Sequence, residues 1–265
     1  MIDPKMPETM ISIRDVSKEF GATETSRVQA LQGINLSIGR RELVSLVGPS
    51  GCGKSTLLNL IAGLDTCSSG EILVEGQRVT GPRRIGYMFQ QDTLLPWRNV
   101  QTNAEFALEI AGVAPKDRCD IAAGWLQKLG LGRFKSHYPH QLSGGMRKRL
   151  QLAAVLATEP RILLMDEPFG ALDAQTRTLI EDDFMTLWRD VGMTVVFVTH
   201  DLAEAIAMCT QVVIISARPG RVKSQYKIGL PTGLSTTDRK LAPGFQDLFS
   251  QIWSDLRDEV GSSLE

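Results

Sequence analysis

A chain of 265 residues, 43% of them hydrophobic, can bury the core of one large α/β domain, with or without a subdomain. Lys and Arg (29) nearly balance Asp and Glu (30), which excludes a global field toward nucleic acid or anionic lipid. No apolar run approaches the ~20 residues of a membrane span, and cysteines at 52, 67, 119 and 209 without a CxxC pair argue against a zinc site or disulfide framework and fit a reducing cytosol.

The N-terminal stretch Met1–Met10 carries two prolines and two acids and lacks a basic-then-apolar signal pattern, so any membrane association is expected through a partner. Ile11–Val16 and Leu36–Ile38 read as strands around a polar loop, Gly21–Arg27. Glu42–Val47 is a short apolar strand, and a glycine-rich turn leads from it into a helix at Lys54–Ala62. Glu71–Val74 and Arg84–Met88 read as further strands. From about Asn99 to Leu156 the character is helical, broken at Gly112–Pro115 and Gly130–Gly132. Strand-like and helical segments then alternate: Ile162–Met165, Ala174–Asp190, Thr194–Thr199, Leu202–Met208, Gln211–Ser216. This order predicts a parallel sheet covered by helices, with a helical insertion in its middle. Near the C-terminus, Phe245, Leu248, Phe249, Ile252, Trp253 and Leu256 follow helical spacing and predict a helix docked on the domain's own core.

Chemistry concentrates at three places. Gly48-Pro49-Ser50-Gly51-Cys52-Gly53-Lys54-Ser55-Thr56 matches GxxxxGK[ST] between an apolar strand and a helix, the context of a phosphate-binding loop. Its backbone N–H groups and the helix N-terminus suit phosphate, Lys54 reaches the outer phosphates, and the Ser55 hydroxyl suits Mg²⁺. Ile162–Met165 ends in Asp166 and Glu167, which puts two carboxylates at the sheet's C-terminal edge. Asp166 is placed for the Mg²⁺ shell and Glu167 to polarise an attacking water. The third place is Leu142-Ser143-Gly144-Gly145-Met146 before basic Arg147-Lys148-Arg149, a second helix N-terminus suited to an anion. Cys52, inside the first loop, has two readings: a thiol whose pKa is lowered by the helix N-terminus and Lys54, or an inert buried side chain.

With LSGG followed by Met146, some twenty residues before the acidic strand end, the sequence resembles the ATP-binding-cassette (ABC) ATPases over roughly residues 10 to 225. The resemblance implies a P-loop NTPase core with a mostly parallel sheet, an N-terminal antiparallel β subdomain and an inserted α-helical subdomain. Residues 10–228 would form the ATP-binding domain, about 99–156 its helical subdomain, and 229–265 a short tail with an amphipathic helix. It implies ATP and Mg²⁺ as ligands and a head-to-tail dimer, in which Ser143, Gly144, Gly145 and Met146 of one subunit close over ATP held by the other. Phe20 matches the aromatic that stacks on adenine. Gln90 matches the glutamine that touches metal and attacking water and senses the permease, with Gln91 the adjacent alternative; Asp173 matches the loop that crosses the dimer interface, and His200 the switch histidine at the γ-phosphate. Ala154 stands where many members have arginine.

Phe89–Val100, with Leu94-Leu95-Pro96-Trp97, is similar to the branch serving nitrate, sulfonate and taurine importers. So are Tyr138–Gln141 and Ser216–Arg221. That branch implies an integral permease as partner, a solute-binding protein acting indirectly, and a place on the cytoplasmic face of the membrane. An exporter, a lipid-extracting complex or an iron–sulfur assembly ATPase is the alternative. Leu94–Trp97 are expected either to bury against the chain's own helices or to line a groove for a helix of the permease.

Overall fold

The computed structural model describes residues 8–21 and 27–262, with side chains to 259. Most of the expected loop at 21–27 therefore lies outside the described residues. Two long strands, β1 (Thr9–Phe20) and β2 (Val28–Gly39), pair antiparallel with β4 (Ser69–Val74) and β5 (Gln77–Arg78) in a sheet of order β2-β1-β4-β5. The second sheet contains β3 (Leu43–Val47), β6 (Gly86–Met88), β7 (Ile162–Asp166), β8 (Thr194–Val198), β9 (Gln211–Ile215) and β10 (Val222–Lys227). Its order is β10-β9-β3-β8-β7-β6. All its pairings are parallel except the last, β10 on β9.

Strands β3, β7, β8 and β9 are buried at every residue, as near-continuous runs of Val, Ile, Leu and Met require when helices or a second sheet cover both faces. Alternate residues feed two cores. Leu43, Leu163, Val195 and Val212 face α2 (Val100–Ile110), α3 (Pro115–Lys128), α4 (Gly144–Leu156), α5 (Ala174–Val191) and α6 (Leu202–Met208). Val44, Leu164, Val196 and Val213 face α1 (Lys54–Ala62) and the antiparallel sheet. The helical insertion and the N-terminal sheet thus sit on opposite faces of one parallel sheet.

Among the described residues, three elements were not foreseen besides the single-turn 3-10 helices at Gly132–Phe134 and Pro139–Gln141. β10 alternates half-buried and exposed residues and carries few apolar ones, so it reads as loop. The two-residue β5 falls below what a pattern can mark. A short helix, α7 (Thr236–Leu241), precedes the expected amphipathic one, α8 (Phe245–Ser262). Helix α8 buries Phe245, Ile252 and Leu256 in the same core as α6, while Trp253 stays 43% exposed.

If that docking is part of the domain's own core, Ile252→Ala lowers stability by ~2–5 kcal/mol. Gln251→Ala, exposed one position away, changes it by no more than about 0.5 kcal/mol. Denaturant unfolding of the two variants checks this, and equal midpoints would remove α8 from the core.

Candidate nucleotide site

Because β9, β3, β8, β7 and β6 run parallel and side by side, their C-terminal ends meet at one edge, where open α/β sheets bind ligands. The loop after β3 carries the phosphate-binding motif. β7 ends in Asp166–Glu167, β8 leads to His200 and β6 leads to Gln90. Residues more than a hundred positions apart in sequence become neighbours through register alone.

The loop at 48–56 is held by close backbone approaches. Gly53 has φ 100°, and a Cβ there would lie 2.7 Å from Leu31 Cδ2. A side chain on Gly48 would overlap the Ile215 carbonyl oxygen. Helix α1 has no side-chain cap and no acid in its first turn, leaving its free N–H groups and positive end to the loop. Phe20, Ser50, Gly51, Gly53, Lys54, Ser55, Thr56, Gln90, Glu167 and Arg218 line a cleft of about 320 Å³ with Val28 and Ala30. Of the motif residues, Gly48, Pro49 and Cys52 do not line it. The Lys54 ammonium donates to the Gly48 and Pro49 carbonyls at 2.8 Å each. Phe20 is 43% exposed, with the Lys18 ammonium 4.8 Å from its ring centre.

Ser55 Oγ donates to Asp166 Oδ1 at 3.0 Å. Burial raises the pKa of Asp166 against the lowering effect of that bond. A hydroxyl and a buried carboxylate side by side are hard oxygen donors of the kind Mg²⁺ takes, so the pair fits that ion. Glu167 sits at φ 44°, a left-handed conformation uncommon outside glycine, which re-aims the chain as it leaves β7. Its Oε2 accepts from Gln90 Nε2 at 3.0 Å and lies 3.6 Å from His200 Nδ1. The three residues proposed for the chemistry therefore converge on one carboxylate oxygen.

Ser143, Gly144, Gly145, Met146 and Asp173 do not line this cleft. Ser143 Oγ caps α4 by accepting from Met146 N at 3.3 Å. Gly145 lies against Thr176 and Ile180 of α5. Asp173 caps α5 through Thr176 N at 3.0 Å, and that bond lowers its pKa. The second anion-suited N-terminus and the loop at 173 thus form a surface apart from the cleft.

One of the two readings of Cys52 is corrected. The thiol is 1% exposed, and burial raises its pKa although Lys54 Nζ, 3.7 Å away, acts in the opposite direction. Desolvation outweighs the nearby charge, so Cys52 is a packing residue and not an activated thiol. Other contributors were missed. Lys148 donates to the Gln90 carbonyl at 3.1 Å, and Gln151 to the Gln91 carbonyl and Asp92 at 3.3 Å each. Helix α4 therefore grips the glutamine loop. The basic run at 147–149 was visible in sequence, but its target was not. Arg218, on the loop after β9, donates to the Gly51 carbonyl at 3.2 Å.

Behind His200, Thr199 Oγ1 donates to the carboxylate of Glu204, which burial pushes up to about 7. Glu181 and Asp201 act in the same direction, against Thr199 and Arg177. A carboxyl whose folded pKa exceeds its unfolded value binds more protons when folded. It lends stability at low pH that is lost as pH rises through about 7. From about pH 5 to pH 8, wild type should lose on the order of 2 kcal/mol relative to Glu204→Gln. Urea unfolding at both pH values checks it, and parallel pH dependences would reject it.

Known proteins place the chain. The ABC transporter family model matches residues 31–170. The nitrate import ATP-binding protein NrtD of Synechocystis sp. is 45% identical over 222 residues, 83% of this chain and 83% of that protein. The taurine import ATP-binding protein TauB of Yersinia pestis bv. Antiqua is 47% identical over 200 residues, 75% of this chain and 78% of that one. An ATP-binding cassette solved as a dimer in a post-hydrolysis state with ADP and Pi superposes with a TM-score of 0.73 at 33% identity. That match covers 83% of this chain and 99% of the other. With the matched segment spanning the phosphate-binding loop, the LSGG turn and the Asp166–Glu167 strand end, the chain belongs to the ABC transporter family and has the fold of its ATP-binding cassettes.

Proposed function

We propose that this subunit binds and hydrolyses ATP at the Lys54 cleft and thereby powers import of a small solute, of the nitrate, sulfonate or taurine kind, through a separate permease. The convergence of Gln90 and His200 on Glu167 Oε2 carries the reading. Glu167 accepts a proton from the attacking water, Gln90 orients that water, and His200 contacts the γ-phosphate. Phe20 stacks on the base, and residues 48–56 cradle the phosphates. Ser55, Asp166 and Gln90 would hold Mg²⁺, which when bound neutralises charge on the β- and γ-phosphate oxygens.

The capped N-terminus at Ser143–Met146, with Asp173 beside it, lies outside the cleft yet presents free N–H groups. This supports a head-to-tail homodimer in which each copy completes the other's site. No helix among the described residues is long and apolar enough to cross a membrane. The likeness to importer ATP-binding subunits supports a place on the cytoplasmic face, held there by the permease, with a solute-binding protein acting on the permease's far side.

The groove for that permease is assigned to Leu94–Trp97. Trp97 is 72% exposed, which supports the groove over burial of that side chain against the chain's own helices. Leu94 and Leu95 are half-buried and edge a cavity of about 120 Å³ with Tyr87, Phe106 and Val155. Asn103 fixes the turn by bonding the Leu95 N–H at 2.8 Å and three carbonyls, so the apolar residues stand on a rigid base.

Glu167→Gln should lower hydrolysis by at least about 100-fold while retaining ATP and holding an ATP-dependent dimer. Turnover and gel filtration with nucleotide test it; a variant that stays monomeric at saturating ATP would argue against a shared site. Trp97→Ala should leave stability within about 0.5 kcal/mol of wild type while weakening co-purification with the permease. A large loss of stability with normal pairing would return Trp97 to a core role.

A further inference from the structure

Arg239, on α7, is fully buried and makes no ion pair among the described residues. A charge taken out of water without a counter-charge needs specific compensation. Here Nη1 donates to the Met208 carbonyl at 3.0 Å, and Nη2 donates to the Cys209 carbonyl at 3.1 Å and the Leu230 carbonyl at 3.5 Å. Nε has no partner. The first two acceptors lie at the C-terminal end of α6, where carbonyls lack intrahelical donors and the helix end is negative.

Helix α6 has seven residues, too few to hold itself by local propensity. Its other end begins directly after His200. There Asp201 caps the Glu204 N–H at 3.1 Å, and the Asp201 N–H donates to Thr199 Oγ1 at 3.0 Å. His200 itself is 62% exposed, so its position comes from the loop and the helix that carry it. Arg239 grips one end of a two-turn rod whose other end is the histidine loop.

The same short helix reaches α5. Asp182 accepts from Thr236 N at 2.6 Å and Thr236 Oγ1 at 2.8 Å, and Lys240 Nζ lies 3.8 Å from Glu181 Oε2. Helix α5 starts at its cap Asp173, and its Arg177 bonds the Leu172 carbonyl at 3.0 Å and approaches Asp201 at 3.5 Å. Helix α7 thus ties the far end of α6 to the middle of α5, the two helices that begin beside the nucleotide residues.

We propose that Arg239 is a positioning residue for ATP hydrolysis: by pinning the C-terminal end of α6 it sets the placement of His200, and so gives the segment after residue 229 control over turnover without contact with the nucleotide. This rests on the assignment of His200 to the γ-phosphate.

The full-length chain is tested as wild type, Arg239→Met, Arg239→Lys, His200→Ala and the His200→Ala/Arg239→Met double variant. Readouts are turnover of MgATP, binding of a fluorescent ATP analogue, and hydrogen exchange over residues 199–208. Arg239→Met is expected to lower kcat about tenfold or more with analogue binding changed less than about threefold, and to add less than about twofold in the His200→Ala background. Arg239→Lys should restore part of the rate, and exchange over 199–208 should quicken in Arg239→Met. Wild-type turnover in Arg239→Met, unchanged exchange over 199–208, or the same fold-loss in both backgrounds would overturn the proposal. If exchange quickens but His200→Ala alone turns over normally, the histidine assignment is what fails. Should Arg239→Met not fold, Thr236→Val, which removes the hydroxyl bonded to Asp182 at nearly constant volume, takes its place with the same expected readouts.

Discussion

Five strands that end at one edge set the terms for everything else in this molecule. Parallel pairing of β9, β3, β8, β7 and β6 places Arg218, the phosphate loop, His200, Glu167 and Gln90 at successive positions along that edge. The sheet holds its register because its central strands are apolar on both faces. A slip of one residue would exchange the sets Leu43/Leu163/Val195 and Val44/Leu164/Val196 between cores of different shape. Site geometry and core packing are therefore one constraint, and the loops at the edge inherit their spacing from it.

Within that edge the groups are not equally supported. The loop at 48–56 is closely packed, with the Lys54 ammonium donating to its own carbonyls and Cys52 buried beneath. Glu167 is held in an uncommon left-handed conformation, and side chains from the loops after two other strands reach its carboxylate. Strain at such a position persists only where the surroundings over-determine it. The glutamine loop is braced from outside by Lys148 and Gln151 of α4, the helix that also opens at Ser143. A displacement of α4 relative to the sheet therefore acts on both the helix N-terminus at Ser143 and the loop that reaches Glu167. The apolar turn at Leu94–Trp97 follows that loop within a few residues, which places the candidate permease groove next in line.

The C-terminal segment packs by two different means. Helix α8 docks by burying Phe245, Ile252 and Leu256, an apolar stripe of the ordinary kind. Helix α7 docks by polar groups, with Arg239 at the carbonyl end of α6 and Thr236 on Asp182. Polar docking is directional, so it fixes the angle and register of α6 where apolar packing would tolerate adjustment.

The sequence by itself determined the phosphate loop, the paired acids after β7, the helical insertion and the amphipathic α8. Each is encoded in local spacing: a glycine pattern between a strand and a helix, an apolar run ending in acids, a helical stripe. Gln90, Asp173 and His200 are singled out only through their order in a family pattern, and their roles are proposals, because a lone glutamine or histidine at a strand end carries no local signal. Tertiary structure alone decided that Gln90 and His200 meet on one oxygen of Glu167, since strand order brings together residues 77 positions apart. It decided the state of Cys52, where burial and a neighbouring lysine pull in opposite directions and only the packing sets their balance. It also decided the place of α7, whose Thr-Thr-Asp-Arg-Lys-Leu shows no apolar stripe. No hydrophobic pattern marks Arg239 as interior, because what draws it inside is a set of carbonyls that exist as acceptors only once α6 has ended there.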